Sequence, residues 1–170
     1  MDRSMDRRKF VAGIAASSLI PSVALARTLE PYRGPVVTRV VVLKGKRRLY
    51  LMNGDKILKK YRVGLGTQPV GHKQFEGDGK TPEGSYFIDR RNARSMYHLS
   101  IGISYPNRQD VEFAMQHGRS PGGEIFIHGR AGKHKGLGRD WTVGCIAVAD
   151  HHIEEIYMMV ALGTQIDIVA

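Results

Sequence analysis

The dipeptide Asn53-Gly54 constrains the fold of this chain more than any other feature, because it stands between two runs of strong β propensity. Asn-Gly is typical of the two-residue turn that joins antiparallel strands, since both residues tolerate a positive φ. The flanking runs, Arg48 to Met52 and Ile57 to Leu65, are therefore predicted to form a hairpin. The valine-rich run from Val36 to Leu43 is predicted to be a further strand.

Short strands and two helices are predicted along the rest of the chain. The strands are expected at residues 84–88, 98–105, 124–128, 145–148 and 164–169, with long loops at 66–84 and 129–140. The helices are expected at 109–117, ended by Gly118, and at 151–162, capped by Asp150 and ended by Gly163. A mainly β chain of this kind folds as a sandwich or a barrel.

The N-terminus has the three parts of a signal peptide. A basic region contains Arg7-Arg8, a mildly apolar run follows from Phe10, and Ala24-Leu25-Ala26 is a small-x-small cleavage pattern. Twin arginines are typical of the Tat export route. We therefore predict a Tat-type signal peptide at 1–26, a linker at 27–35 and one catalytic domain at 36–170. The alternative is an N-terminal membrane anchor, but the apolar run is short for a span.

The charge of the chain favours anionic partners outside the cytoplasm. The formal net charge is +10, and the signal holds four basic and two acidic residues, which leaves +8 for the mature part. Such a surface attracts anionic envelope polymers or lipid head groups, although a basic surface without a specific partner is an equal alternative. No basic helix or aromatic RNA-binding motif supports nucleic acid. We predict a periplasmic protein with no stable membrane span after signal removal.

Cys145 is the single cysteine, and His128 lies at the end of a predicted strand upstream of it. A leftover thiol in an exported protein forms an intermolecular disulfide or is reactive. A histidine can take the thiol proton and return it to a leaving amine, and the carbonyl of Gly129 can orient that imidazole. Gly144 lets the backbone approach a substrate carbonyl, so N–H groups near Gly144 and Cys145 can form an oxyanion hole. The pattern indicates acyl transfer, and the alternative for Cys145 is a buried structural cysteine.

The order of these motifs resembles the YkuD-type L,D-transpeptidase domain. The matching stretches are His128-Gly129, Thr142-Val143-Gly144-Cys145-Ile146, the Thr81-Pro82-Glu83-Gly84 stretch and Leu162 to Ile168, and Tyr105-Pro106-Asn107 fits the YafK/ErfK-like branch. The resemblance covers about Val36 to Val169.

The resemblance implies a β-sandwich with a few short helices, acting on the peptide stems of peptidoglycan. Cys145 would be the nucleophile, His128 the general base, Gly129 the orienting carbonyl and the Gly144–Cys145 backbone the oxyanion donor. The acyl-cysteine would pass to an amine or to water. The chain departs from the family at Val143, where histidine is usual, at Ala147, where many members have arginine, and at Asp150, where asparagine is common. These departures leave the hydrolysis of a wall-attached lipoprotein as an alternative to crosslinking.

Other residues are weaker candidates for substrate contacts. They are Tyr97, His98, Arg139, Trp141 and Thr142, and for several of them core packing or solvation is an equal alternative. Arg139 belongs to a basic loop with Arg130, Lys133 and Lys135. A metal site built from His128, His134, Cys145, His151 and His152 fits no compact zinc spacing, so we expect neither metal nor cofactor. A non-catalytic wall-binding domain is the alternative from a different class.

Overall fold

The computed structural model describes residues 29–132 and 138–170. The predicted signal peptide, the first two residues of the predicted linker and residues 133–137 lie outside this part. The described elements, in chain order, are β1 (Arg39–Leu43), β2 (Arg48–Asn53), β3 (Lys56–Arg62), β4 (Gly84–Ser95), β5 (His98–Ile103), α1 (Arg108–Gln116), β6 (Phe126–His128), β7 (Ile146–Ala147), α2 (Asp150–Met159) and β8 (Gln165–Val169). Among the described helices, none is long and apolar enough to cross a membrane.

The predicted hairpin is present, with its turn one residue later than the sequence suggests. Strands β2 and β3 pair antiparallel, and Asn53 is the last paired residue, opposite Lys56. The turn consists of Gly54, whose φ is 54°, and Asp55. Asn53 belongs to the strand instead of the turn, and its side-chain amide donates to the carbonyl of Val36 at 2.8 Å. Gly54 therefore supplies the left-handed conformation alone.

The strands follow the order β3-β2-β1-β8-β4-β5-β6-β7 in one mixed sheet. The first half of β4 pairs with β8 and its second half with β5, so β4 passes from one half of the sheet to the other. Backbone bridges from Gly64 to Ala147 and from Gly66 to Thr142 join the chain after β3 to the region of β7. The two halves enclose one core, which confirms a mainly β sandwich with few helices.

Strand β4 is longer than its sequence predicts. The prediction ended at Ile88, because residues 89–95 are mostly charged or polar, but the strand continues to Ser95. Pairing with β5 holds this exposed part, for example Arg91 opposite Ile101. Arg91 also stacks on Tyr157 and donates to the carbonyl of Val160 at 3.0 Å. Tertiary pairing therefore overrides the weak local β propensity.

Helix α2 covers the half of the sheet that carries the catalytic candidates. The helix packs against β5 and β6, and Ile153 and Ile156 are among its buried residues. All residues of β5 after His98 are buried. The N-cap is Ala149, so the prediction that Asp150 caps the helix is wrong. The Asp150 carboxylate binds the loop after β6 instead. The helix ends at Met159, three residues before the predicted Leu162, and Gly163 follows with a φ of 80°.

Candidate active site

His128 is the last residue of β6 and is only 3% exposed. Its Nδ1 lies 2.6 Å from the carbonyl oxygen of Gly129. A carbonyl only accepts, so Nδ1 carries the proton and Nε2 keeps its lone pair. The contact that the sequence suggested between Gly129 and the imidazole is therefore present. It fixes the tautomer that a general base needs.

Two aromatic rings enclose the imidazole of His128. Tyr97 stacks on it with ring centroids 4.4 Å apart and an interplanar angle of 28°. Trp141 meets it edge-on at 5.7 Å. The two rings also contact each other at 5.9 Å. Both predicted aromatic residues therefore lie at the histidine and limit its rotation.

Cys145 lies beside β6 because of the parallel register between β6 and β7. Ile127 pairs with Ile146, so Cys145 is placed next to Phe126 and on the same sheet face as His128. The thiol is half-buried and contacts the carbonyl oxygen of Glu124 at 3.5 Å. Glu124 itself has a φ of 54°, and this conformation precedes β6, which starts two residues later than predicted.

The pKa of the Cys145 thiol is raised above its ordinary value. Burial is the main cause, and the negative charge of Glu124 adds to it. A hydrogen bond from the backbone of Phe126 and the positive charge of Lys73 act in the opposite direction. The balance favours the neutral thiol at neutral pH, so a thiolate forms only when a base removes the proton.

Cys145 and His128 line two cavities that share four residues. One has a volume of about 400 Å³ and is bounded by Trp141, Thr142 and Val143. The other has about 320 Å³ and lies along the end of β4. Tyr97 and Glu124 border both, as the cysteine and the histidine do. Both cavities therefore reach this pair of residues.

Thr142 holds the backbone that carries the cysteine. Its buried hydroxyl donates to the carbonyl of Cys145 at 2.7 Å and accepts from the N–H of Gly144 at 3.2 Å. Its own backbone is bonded to Leu65 and Thr67. The threonine therefore has a supporting position in addition to lining the cavity. It also engages one of the two N–H groups that the sequence suggested for the oxyanion.

Gly144 is required by both conformation and space. Its φ is 139°, and a Cβ at this position would lie 2.7 Å from the carbonyl oxygen of Lys80. Lys80 belongs to the stretch before Thr81, whose buried hydroxyl accepts from the N–H of Gly66 at 3.2 Å. The Thr-Pro stretch singled out in the sequence therefore packs behind the Gly144–Cys145 backbone.

Asp140 joins the segment before Cys145 to the turn that contains Arg47. The sequence did not predict this link. The Asp140 carboxylate accepts from Arg47 in a two-pronged ion pair, with the closest contact 2.8 Å, and from the N–H of Leu65 at 3.0 Å. Burial alone would raise the pKa of Asp140, but these donors and the nearby Arg139 hold it below its ordinary value. The ion pair joins positions 93 residues apart, and no local sequence signal indicates it.

Asp150 holds the loop after His128 in place, as Asp140 holds the segment before Cys145. The Asp150 carboxylate accepts from the backbone N–H groups of Arg130, Ala131 and Gly132 at 2.5 to 3.1 Å. Burial opposes its ionisation, but these three donors keep the pKa of Asp150 low. A Cβ on Gly129 would lie 2.6 Å from the Asp150 carboxylate. The glycine after the histidine therefore makes room for this anchor.

Lys73 is a second residue that the sequence did not reveal. Its side chain is 3% exposed, and its Nζ binds the Asp78 carboxylate and the Phe75 carbonyl, both at 2.9 Å. Lys73 lines the larger of the two cavities. It therefore places a neutralised cation near the thiol.

Two predicted substrate contacts lie elsewhere. His98 has a φ of 79°, and its Nε2 lies 2.8 Å from Glu154 of α2. Arg139 is exposed and lines a separate cleft with Arg130. Within residues 29–132 and 138–170, no three His, Cys, Asp or Glu side chains come together as a metal site. His134, weighed as a ligand, lies outside that part.

The site thus consists of a thiol and an oriented imidazole that line the same cavities of a β-sandwich, and this combination can be compared with known domain families. Residues 37–168 match the family model described as YkuD, L,D-transpeptidase catalytic domain. The chain therefore belongs to the L,D-transpeptidase catalytic domain family. This confirms the resemblance carried by the sequence motifs.

Known relatives agree with this assignment. YafK of Escherichia coli strain K12 is 28% identical, over 88% of this chain and 63% of the relative. The crystal structure of the helical cell shape determining protein Pgp2 from Campylobacter jejuni has a TM-score of 0.61 at 27% identity, over 81% of this chain and 49% of that one. An L,D-transpeptidase from Mycobacterium smegmatis shares the fold, with a TM-score of 0.53 at 13% identity, over 79% and 59%. The chain thus spans less than two thirds of each relative.

Proposed function

We propose that this protein is a cysteine acyltransferase that acts on the peptide stems of peptidoglycan. The observation that carries the proposal is that Cys145 and His128 line the same two cavities, with the imidazole fixed by Gly129. Membership of the L,D-transpeptidase family supplies the substrate class. Pgp2, which carries the same domain fold, is named as a determinant of helical cell shape, and this fits a role in the wall.

The first half-reaction follows from the protonation states of the pair. Nε2 of His128 takes the thiol proton as Sγ of Cys145 bonds to the stem carbonyl carbon. Because burial raises the pKa of the thiol, proton transfer and attack are coupled. The tetrahedral intermediate then breaks its carbon–nitrogen bond, and the imidazolium returns the proton to the leaving amine. The products are an acyl-cysteine thioester and a released D-amino acid.

The developing oxyanion needs donors close to the thiol. The N–H of Cys145 is the donor that we assign to it. The N–H of Gly144 donates to Thr142 in the free protein, so it would have to change partner to contribute. The threonine hydroxyl would then keep its second bond, to the Cys145 carbonyl.

The second half-reaction requires an acceptor. An amine that enters by the cavity opposite the acyl chain can attack the thioester carbon, lose its proton to His128 and release the thiolate. The two cavities that reach the pair support this route over simple hydrolysis. Hydrolysis of a stem-linked group such as a wall-attached lipoprotein is the second candidate. It is favoured by Val143, which is 77% exposed at the cavity and offers an acceptor no polar contact.

The location and partners belong to the same proposal. The sequence of residues 1–26 supports export by the Tat route to the periplasm, where peptidoglycan stems are present. The basic composition supports binding to anionic envelope polymers. A non-catalytic wall-binding domain is the alternative of another class, and the fixed tautomer of His128 argues against it.

Mass spectrometry of muropeptides tests the proposal. Purified peptidoglycan is incubated with the protein and, in parallel, with Cys145→Ala. New crosslinks or exchanged terminal D-amino acids with the wild type alone establish acyl transfer to an amine. Shortened stems or released groups without new crosslinks establish the hydrolase. Identical products from both proteins would overturn both catalytic proposals.

A further inference from the structure

A cleft of about 570 Å³ lies apart from the two catalytic cavities and shares no lining residue with them. Its volume is in the range of ordinary ligand sites. The end of β3, the turn before β2 and the segments on either side of Trp141 contribute to it. Its cationic side chains are those of Lys46, Arg47, Arg48, Arg62, Arg130 and Arg139.

Three of the arginines of this cleft have no carboxylate partner among the described residues. No lining residue is an Asp or Glu. Arg47 is neutralised by Asp140. In the part of the chain that the structure describes, no carboxylate forms a salt bridge with Arg48, Arg62 or Arg139. The cleft therefore concentrates positive charge in one place.

The strand register places two of these cations against each other. Arg48 of β2 and Arg62 of β3 are direct partners in the antiparallel pair. Like charges directly opposite in a sheet are destabilising, so this pair costs stability in the empty protein. A bound anion would remove that cost.

His152 also lines this cleft. Its Nδ1 is buried and has no hydrogen-bond partner among the described residues, so this atom does not open into the cleft. Burial also lowers the pKa of His152, as does its neighbour His151, so the ring is a neutral hydrogen-bonding group at neutral pH.

We propose that this cleft is a binding site for a ligand with several closely spaced phosphate groups. Guanidinium groups bind phosphate oxygens through paired N–H donors. Several arginines together offer more such donors than a single carboxylate can accept, so a ligand with several phosphate groups fits better. The ligand is a free oligophosphate chain or the phosphate head groups of a lipid surface, which share this chemistry. The site is independent of acyl transfer at Cys145, because none of its lining residues borders the thiol.

Calorimetry with inorganic tripolyphosphate tests the site. The variant Arg48→Gln/Arg62→Gln removes the opposed pair, and Lys56→Gln/Lys60→Gln removes the same charge from β3 outside the cleft. We expect at least ~10-fold weaker binding for the first variant and less than ~3-fold for the second, by screening alone. Equal losses in the two variants, or no binding by the wild type, would overturn the proposal.

Two further arms identify the chemistry and the source. Citrate at matched ionic strength carries similar charge without phosphate, and binding as tight as that of tripolyphosphate would overturn the assignment to phosphate. Sedimentation with phosphatidylcholine vesicles containing phosphatidylglycerol tests the lipid source. Vesicle binding that is lost with Arg48→Gln/Arg62→Gln supports head groups, and its absence beside tripolyphosphate binding supports a free chain.

The thermal midpoint checks the folding of the variants. Arg48→Gln/Arg62→Gln removes a repulsive pair, so its midpoint without ligand should equal or exceed that of the wild type. Tripolyphosphate should raise the midpoint of the wild type and of the Lys56→Gln/Lys60→Gln control, but not that of the arginine variant. A rise of equal size in all three proteins would contradict the site.

Discussion

The segment from Arg139 to Ala147 borders cavities of different electrostatic character on its two sides. On the catalytic side, which holds Cys145, the buried cation Lys73 is neutralised by Asp78, and the cavity linings contain carboxylates as well as cations. On the other side, cations collect without a carboxylate in the lining. The difference teaches that the cations near Cys145 share its cavities with carboxylates, whereas the cations of the cleft do not. An uncompensated cation beside Cys145 would lower its pKa and expose a reactive thiolate before substrate arrives.

The two sides also differ in how their groups are positioned. The histidine and cysteine are fixed by hydrogen bonds with definite partners, Gly129 and Thr142. The arginines of the cleft come from separate segments and are mostly exposed or half-exposed. Substitutions on the catalytic side should therefore have steep effects, and those on the other side graded ones.

The largest expected effect comes from His128→Ala. Without the base, the thiol keeps its proton, and turnover of stem peptides should fall by about 10²- to 10⁴-fold. The binding of tripolyphosphate should not change, because His128 lines only the catalytic cavities. Steady-state rates and calorimetry on the same preparation measure both. If turnover and tripolyphosphate binding were both lost, the catalytic cavities and the cleft would not be independent sites.

Thr142→Val should have the next largest effect. It removes the hydroxyl that bonds the Cys145 carbonyl and the Gly144 N–H, while the shape of the side chain is kept. We expect a loss of about 1–3 kcal/mol in the free energy of unfolding and a lower turnover rate. Urea unfolding and kinetics measure the two changes. Thr142→Ser keeps the hydroxyl and is the matched control, so equal losses in both variants would show that the methyl group matters instead.

Asp140→Asn tests the clamp that the Asp140 carboxylate forms with Arg47 and the N–H of Leu65. The readout is how the free energy of unfolding changes with pH. The folded pKa of Asp140 lies below the unfolded value, so the carboxylate contributes stability above the unfolded pKa of about 4 and loses it as pH falls through the folded pKa. The variant should be about 2 kcal/mol less stable at pH 7, and the difference should shrink in acid. Urea unfolding from pH 7 to pH 3 measures this. Asp55→Asn in the exposed turn is the control, and a pH-independent difference would contradict the clamp.

The smallest expected effect belongs to Glu124→Gln. The charge of Glu124 helps to raise the pKa of the thiol, so its removal should lower that pKa and speed alkylation at pH 8 by about 2- to 5-fold. In both proteins the rate should rise with pH, because the thiolate is the reactive form. Alkylation followed by intact mass measures the rates. A slower reaction in the variant would reverse the sign that we assign to this charge.

The sequence predicts the strands of the hairpin and the catalytic candidates, because these depend on local patterns. The apolar runs of β1 and β2 form as expected, and His128 does end a strand. The link between Arg47 and Asp140 could not be predicted, since nothing near either residue reports on a partner 93 positions away. The charged part of β4 was missed for the same reason, because pairing with β5 rather than propensity makes it a strand.

Asp150 shows how a local rule can give the wrong partner. An acidic residue before an apolar helix is typical of a cap, and the sequence supports that prediction. The tertiary fold brings three backbone N–H groups of the loop after His128 to the same carboxylate. Backbone donors are strong hydrogen-bonding groups, so the loop binds Asp150 and the helix begins without a side-chain cap.

Strand β8 has a strand partner on each side within the sheet. It lies between β1 and β4, parallel to the first and antiparallel to the second. Its side chains Ile166 and Ile168 are buried in the core. Amide protons in such a central strand exchange with solvent only when much of the structure opens. In hydrogen exchange, the amides of β8 should therefore be among the slowest of the described residues.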